Sequence, residues 1–162
     1  QALAKGDRDE LAVQAATELG VDAILPWQAA RSVSRWDGAK VAKGVARWES
    51  IAREAAKQAH RAWLPEVADP VTTRQLVSQA ESARMLVLEP TASAALSGVD
   101  LDAADTRDVL LVVGPEGGIS PDELDALQAA GATLVRLGDT VLRTSTAGPA
   151  ALALVNRALG RW

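Results

Sequence analysis

The stretch LLVVGPEGGISPDEL, Leu110–Leu124, joins a run of apolar residues to a glycine-rich turn and a helix start. Together with Val109, the apolar run is typical of a short strand buried on both faces, as in a parallel sheet. Ser120 and Glu123 have the spacing of a capping box, and Pro121 occupies the first helical position. A buried strand that turns into a capped helix is the repeating unit of α/β domains.

Strands and helices alternate along the rest of the chain. Helical spacing of apolar residues predicts helices over 7–20, 40–61, 72–82, 120–131 and 144–159. Short apolar runs predict strands over 21–26, 84–90, 109–113 and 133–138. An exposed acidic loop is expected over 97–108, and the chain enters its first helix without a leading strand. The sequence therefore predicts an α/β fold, with a mainly parallel sheet flanked by helices, in one domain.

Length and composition restrict the classes of function. The 162 residues suffice for one ordinary domain, and no apolar run approaches the roughly 20 residues that span a bilayer. The chain has no cysteine and one histidine, so we predict no disulfide, no thiolate chemistry and no metal site. The charged first residues do not resemble a secretory signal, and we expect a cytoplasmic location without membrane association.

A basic segment stands out in a chain whose net charge is −4. Residues 31–61 contain eight basic and three acidic residues, whereas the flanking segments are acidic. Such a segment is either an electrostatic footprint for phosphate or a solvated helix face. Within the long helix, Trp48 belongs to an apolar stripe and is expected in the core, while the basic residues lie off that stripe.

The GPEGG turn, Gly114–Gly118, follows a strand at the position where parallel sheets bind ligands. It is not a P-loop, because no Gly-Lys-Ser/Thr sequence follows, and its glycines have the wrong spacing for a dinucleotide-binding fingerprint. Two other strand exits, at Pro90 and over 137–148, share its character. Glycine lets a ligand approach the backbone closely, but the turn alone is equally typical of an ordinary structural connection.

Four motifs occur together in the order KGDRDELAVQAATELGVDAILP, REAAKQAHRAWLPEV, GPEGGISPDEL and LGDTVLRTSTA. In this combination the chain resembles the catalytic domain of the uridine-N3 methyltransferases of small-subunit (16S) ribosomal RNA. These enzymes belong to the SPOUT class, which uses S-adenosylmethionine. The resemblance covers residues 1–162 as a single methyltransferase domain, and the family's amino-terminal PUA-like RNA-binding domain is expected to be absent from this chain.

The resemblance implies a SPOUT-type α/β knot, with a trefoil knot near the carboxyl end that holds S-adenosylmethionine, and a homodimer. Ser145 departs from the pattern, because many relatives have glutamate there, so no carboxylate role is carried over to this position. The cofactor-binding residues that the resemblance implies come from the three strand exits: Leu88, Glu89, Pro90, Val113, Gly114, Pro115, Glu116, Gly117, Gly118, Leu137, Gly138, Leu142, Arg143, Thr144, Ser145, Thr146 and Ala147.

Two residues are candidates for the chemistry that this resemblance implies. Methyl transfer to N3 of uracil requires loss of the N3 proton, and a cation can stabilise the negative charge that spreads to O2 and O4. Arg143 in the third loop is the candidate cation, with an ion pair to Glu116 or Asp139 as the alternative. Glu116 is the nearest carboxylate by motif, and it is either the general base or a brace of its own loop.

A second candidate surface lies on the long basic helix. Glu54, Gln58 and Arg61 share one helix face by their spacing, and the resemblance puts this helix near the active site of its own or of the partner subunit. We predict that these residues and Arg31 contact ribosomal RNA, with a hydrogen-bonded face at a dimer seam as the alternative. Two other functions remain open: a non-catalytic RNA- or nucleotide-binding module on the same fold, and a sugar-phosphate or nucleotide enzyme on a doubly wound sheet.

Overall fold

The structure, a computed structural model, describes residues 1–101 and 104–162. Part of the predicted acidic loop, residues 102–103, lies outside the described residues. None of the described helices is long and apolar enough to cross a bilayer. Helices and strands alternate as α1 (Arg8–Glu18), β1 (Ala23–Ile24), β2 (Trp27–Gln28), α2 (Ala39–Gln58), β3 (Glu66–Val67), β4 (Val71–Thr72), α3 (Thr73–Gln79), β5 (Ala83–Leu88), β6 (Asp108–Val113), α4 (Pro121–Ala129), β7 (Thr133–Val135) and α5 (Thr144–Ala158).

The central sheet contains the three strands that the longer apolar runs predict. β5 lies in the middle, with β6 and β7 parallel to it on either side. Leu86 and Val87 at the centre of β5 are almost fully buried. Leu88, the last residue of β5, is in register with Val113 of β6 and Val135 of β7. The three loops that follow therefore leave the sheet at one edge, and the predicted α/β fold with parallel strands is confirmed.

Among the described residues no strand precedes α1, as the sequence predicts, but the first residues are extended and form an isolated bridge. Ala2 forms a parallel bridge with Trp27 of β2, and its N–H donates to the carbonyl of Val113, 2.9 Å away. The Leu3 N–H donates to the carbonyl of Trp27, also at 2.9 Å. Residues 1–4 thus connect β6 to β2. The sequence hid this pairing because QALA has no β-branched residue and no alternation of polar and apolar side chains.

Two short parallel pairs complete the layer of strands. β1 pairs with β3, and β2 pairs with β4, each over two residues. β2, β3 and β4 were not predicted, because two-residue strands are shorter than the runs of four to eight residues on which strand prediction depends. They matter for function because β2 leads directly into Ala29–Arg31, the segment that reaches the candidate site.

The helix ends follow the predicted capping chemistry with one difference. The Ser120 hydroxyl accepts from the Glu123 N–H, and the Glu123 carboxylate accepts from the Ser120 N–H, which completes the capping box. α2 ends at Gln58, three residues before the predicted end at Arg61. The cause is His60, whose φ of 53° takes the backbone out of the helix. Trp48 is 1% exposed, as its place in the apolar stripe predicts.

Glu123 has a second role beyond capping α4. Its carboxylate accepts from the Thr73 hydroxyl at 2.7 Å and from the Ala30 N–H at 2.8 Å, although the residue is buried. Burial acts to raise its pKa, but the hydrogen bonds from Thr73, Ala30 and Ser120 outweigh it, and the pKa lies below its ordinary value. The ionised carboxylate therefore fixes the segment after β2 against the starts of α3 and α4.

Candidate functional site

A cavity of about 460 Å³ lies where the three loops leave the sheet. Its floor is formed by the last residues of the strands, Leu88, Val113 and Val135. The walls are the loop after β5, the GPEGG turn after β6, and the segment between β7 and α5. Its volume falls within the range of roughly 300–1,000 Å³ that is typical of small-molecule sites. The parallel register of the strands thus builds the concave site that the sequence predicts at this edge.

The GPEGG turn is shaped by close packing on two sides. A Cβ atom on Gly114 would lie 2.7 Å from Cγ1 of buried Ile119, so the turn folds back on itself only with glycine there. The Gly118 N–H donates to the Pro115 carbonyl at 2.9 Å, and Gly118 has a φ of 72°, which favours glycine. Arg31 approaches from outside, where its Nη1 donates to the Gly117 carbonyl at 3.1 Å.

Glu116 points from the turn to the start of α1. Its Oε1 accepts from the Lys5 N–H at 2.9 Å and from Nη1 of Arg8 at 2.8 Å. Partial burial acts to raise the pKa of Glu116, but hydrogen bonds from its own N–H, from Arg8 and from Lys5 outweigh it, so the pKa lies below its ordinary value. These contacts are those of a carboxylate that braces its loop, the second of the two roles considered for Glu116.

The third loop joins the GPEGG turn through the start of α5. The Thr144 hydroxyl donates to the Gly114 carbonyl at 2.8 Å and accepts from Nε2 of Gln1 at 2.9 Å. Arg143 immediately precedes α5 and lines the cavity, with an exposed side chain. Within residues 1–101 and 104–162 its guanidinium forms an ion pair with neither Glu116 nor Asp139. Its charge therefore remains available to a ligand in the cavity.

The loop after β5 is held to the third loop by Arg136. The Arg136 guanidinium donates to the carbonyls of Ala92, at 3.0 Å, and Ser93. The Glu89 N–H donates to the Val135 carbonyl, while its carboxylate accepts from the N–H and the hydroxyl of Thr91. Glu89 is thus occupied within its own loop, and the backbone of the loop forms this side of the cavity.

Most of the predicted cofactor-binding residues line this cavity at the strand exits. Gly117, Ser145 and Thr146 do not line it: Gly117 packs against Arg31, and the other two lie in the first turn of α5. Sequence reasoning missed six lining residues, of which Arg8 was signalled by its place in the KGDRDEL motif. The predicted residues that line the cavity are Leu88, Glu89, Pro90, Val113, Gly114, Pro115, Glu116, Gly118, Leu137, Gly138, Leu142, Arg143, Thr144 and Ala147, and the missed ones are Arg8, Ile119, Val135, Arg136, Thr140 and Val141.

The residues predicted to contact RNA are divided between two places. Arg31 touches the GPEGG turn, whereas none of the three on α2 and just after it lines the cavity of this chain. Arg61 donates to the Thr17 carbonyl at the end of α1, and Glu54 forms an ion pair with Lys57. Gln58 is exposed. In the part of the chain that the structure describes, no group of three or more His, Cys, Asp or Glu side chains is placed to hold a metal ion.

The sequence of the chain also matches a known protein family. The sequence profile of the RNA methyltransferase domain family matches residues 1–156. The chain belongs to this family. Ribosomal RNA small subunit methyltransferase E of Mycobacterium tuberculosis is 52% identical over 167 residues, covering 100% of this chain and 63% of the relative. The protein of the same name from Bacillus subtilis is 36% identical, over 95% of this chain and 62% of its own length.

Solved structures of methyltransferases have the same fold as this chain. A methyltransferase from Legionella pneumophila, in complex with bound SAM, superposes with a TM-score of 0.89 at 36% identity, covering 98% of this chain and 64% of its own. Ribosomal RNA small subunit methyltransferase E from Neisseria gonorrhoeae, bound to S-adenosyl methionine, gives 0.88 at 32% identity, covering 96% and 64%. This chain therefore spans slightly less than two thirds of the length of each of these four relatives.

Proposed function

We propose that this domain transfers the methyl group of S-adenosylmethionine to N3 of a uridine in 16S ribosomal RNA of the small subunit. The observation that carries the proposal is the cavity at the carboxyl ends of β5, β6 and β7, built by the three loops whose motifs resemble this enzyme family. Relatives named for ribosomal RNA small subunit methylation and similar structures that contain SAM support the same assignment. A non-catalytic RNA-binding module is less well supported, because Arg143 and the complete cavity are present.

The residues around the cavity fit this cofactor. Leu88, Val113, Leu137 and Leu142 offer apolar surface to an adenine ring, and the glycine-containing loops leave backbone N–H and C=O groups for its polar edge. When bound, S-adenosylmethionine supplies an electrophilic methyl group on its sulfonium. We propose that the cavity residues bind and position S-adenosylmethionine. We assign the same role to Ser145 and Thr146 beside the cavity and to Gly117 behind the turn.

Methylation of the target uridine also requires stabilisation of the negative charge on its base. Its N3 carries a proton near neutral pH, and loss of that proton spreads negative charge over O2 and O4 of the ring. Arg143 lines the cavity, is exposed and has no ion-pair partner among the described residues, which supports a role in stabilising that charge. We propose Arg143 as the catalytic cation and Glu116 as a positioning residue rather than the base.

Calorimetry with S-adenosylmethionine tests the proposed cofactor. We expect binding in the micromolar range, at one site per chain or one per dimer, and sedimentation equilibrium on the same sample to give the mass of the homodimer that we propose. Absence of binding at millimolar cofactor contradicts the proposal. Mapping of the methylated base in small ribosomal subunits treated with the protein then identifies the nucleotide. Because its proposed substrate is ribosomal RNA, we propose that the protein acts in the cytoplasm. The trefoil knot that the family resemblance implies stays a prediction.

Two substitutions at Glu116 separate bracing from base catalysis. Both donors bond to Oε1, which glutamine also carries, so Glu116→Gln preserves the brace and removes the base. We expect Glu116→Gln to retain methylation within about threefold, and Glu116→Ala to weaken cofactor binding roughly tenfold, since hydrogen bonds to charged groups contribute about 1.5–3 kcal/mol. The measurements are single-turnover methylation and calorimetry. A loss of about 10²–10⁴ in rate with Glu116→Gln, at unchanged cofactor affinity, would instead identify Glu116 as the base.

A further inference from the structure

We propose that a groove beside the first half of α2 binds single-stranded RNA next to the target uridine, which deepens the function proposed above and rests on it. The groove has a volume of about 520 Å³ and is separate from the cofactor cavity. One wall is formed by Val33–Trp36 and by Lys40, Lys43 and Arg47 of α2. The other is formed by residues at and just before the start of α1, namely Ala4, Gly6, Asp9 and Glu10. This feature is called the α2 groove below.

The α2 groove carries net positive charge. Arg35, Lys40 and Lys43 are exposed, and within the described residues none of them has an ion-pair partner. Arg47, seven residues after Lys40 on the same face of α2, forms a bidentate pair with Glu10 across the groove at 2.7 and 3.2 Å. That pair neutralises one of the two carboxylates in the wall. Three such cations in one groove suit a chain of phosphates.

An indole ring lies in the same groove. Trp36 packs over Gly44, where a Cβ atom would come within 2.5–2.6 Å of three atoms at the ring fusion, so glycine allows the ring to lie flat on α2. The ring of Trp48 meets that of Trp36 edge-on, with centroids 5.2 Å apart, and the side chain of Gln28 accepts from the backbone N–H of Trp36. The ring of Trp36 packs on α2 on one face and meets Trp48 at an edge, and the residue remains partly exposed. A fixed aromatic ring in a groove that cations also line is the combination that binds and stacks unpaired bases.

The α2 groove also adjoins the cofactor cavity. The Lys5 N–H bonds Glu116 in the cavity wall, and the next residue, Gly6, lines the groove. On the other side, Arg31 bonds the carbonyl of Gly117, and five residues later the chain reaches Trp36. Five extended residues span at most about 18 Å. A strand of RNA whose uridine enters the cavity therefore has its neighbouring nucleotides within reach of Trp36 and the lysines.

The chemistry of the groove favours RNA over an acidic protein segment. Free cations alone suit either polyanion, but a partly exposed indole ring in the same groove adds energy only for planar bases. In an A-form duplex the bases are already stacked and the phosphates are spaced across two strands. The proposed occupant is therefore the unpaired RNA chain that flanks the target uridine.

Charge neutralisation tests the groove directly. The probe is a fluorescein-labelled single-stranded RNA of about 12 nucleotides with a central uridine, within the usual range of single-strand site sizes, followed by fluorescence anisotropy without cofactor. We expect Lys40→Gln/Lys43→Gln to raise Kd roughly tenfold and to reduce the slope of log K against log salt by about 1.4. The control Arg53→Gln/Arg157→Gln removes the same charge from exposed positions outside the groove and should change Kd less than threefold.

Substitution of Trp36 tests stacking. Trp36→Leu should raise Kd roughly tenfold, while Trp36→Phe keeps a ring and most of the affinity. Since Trp36 also packs on Trp48, the melting temperature of each variant is measured, and the lysine pair decides the matter if Trp36→Leu does not fold. Equal effects of the lysine and control pairs, or equal affinity for a duplex of the same length, would overturn the inference.

The two proposals fail separately. If calorimetry detects S-adenosylmethionine and ribosomal subunits are methylated while the groove variants bind RNA normally, only the groove assignment is wrong. If the cofactor does not bind but the groove variants lose single-stranded RNA, the proposed methyl transfer is wrong and the groove stands as an RNA-binding surface.

Discussion

Replacement of Arg143 by alanine is expected to lower the rate of methyl transfer by about 10²–10³, the usual cost of removing one preorganised donor from a developing negative charge. The guanidinium lines the cavity, is exposed, and has no ion-pair partner among the described residues, so its charge is not consumed by the fold. Because the charge on uracil appears only as N3 is deprotonated, the loss should fall on the chemical step more than on cofactor affinity. Single-turnover methylation at saturating S-adenosylmethionine measures it.

Two companion variants sharpen this prediction. Arg143→Lys keeps the charge but loses the planar fork, so its rate should lie between those of the wild type and the alanine variant. Arg157→Ala removes an exposed arginine from the other end of the same helix, outside the cavity, and should leave the rate unchanged within about twofold. Full single-turnover activity in Arg143→Ala would exclude this arginine from the mechanism.

Local signals in the sequence were sufficient for the scaffold of the site. The VLLVV run identified strand β6, although only Val112 and Val113 of the run are buried, and the Ser120–Glu123 capping box identified the start of α4 with its geometry. The same box could not reveal that Glu123 also binds the Ala30 N–H and the Thr73 hydroxyl. Those partners lie 93 and 50 residues away along the chain, and no spacing rule connects them. A capping box can be recognised from residues that are close in sequence, whereas the additional hydrogen bonds of Glu123 depend on the tertiary fold.

The same distinction explains which of the residues that line the cavity were predicted from the sequence. The three loops were predicted together because their strands are parallel and end at one sheet edge, a property of topology. Arg8 was missed, since its contact with Glu116 spans 108 residues of sequence. The extended pairing of Ala2 was also missed, because its partners Trp27 and Val113 come from distant strands and its own segment has no strand-like pattern. Motif resemblance supplied the cofactor, which no periodicity argument provides.

Replacement of Gly114 by alanine is expected to weaken S-adenosylmethionine binding at least tenfold and to destabilise the fold by about 1–3 kcal/mol, the usual cost of overpacking. The new Cβ would lie 2.7 Å from Cγ1 of Ile119, a methylene in the middle of a buried side chain rather than its mobile end. Relief requires the turn to open, and opening moves the carbonyl that accepts from the Thr144 hydroxyl at 2.8 Å. Calorimetry and thermal unfolding on the same sample measure the two effects.

A second glycine provides the matched control. Gly98 lies outside the cavity in the 3-10 turn Leu96–Gly98, and a Cβ there meets no heavy atom within 4 Å. Gly98→Ala should leave cofactor affinity unchanged and stability equal or higher by about 0.4–1 kcal/mol, because alanine restricts the unfolded chain. The double variant Gly114→Ala/Ile119→Ala removes the clashing atom, so its cofactor affinity should exceed that of Gly114→Ala alone, a coupling that independent sites do not show. If Gly114→Ala binds cofactor as tightly as Gly98→Ala, the shape of this turn does not determine cofactor binding.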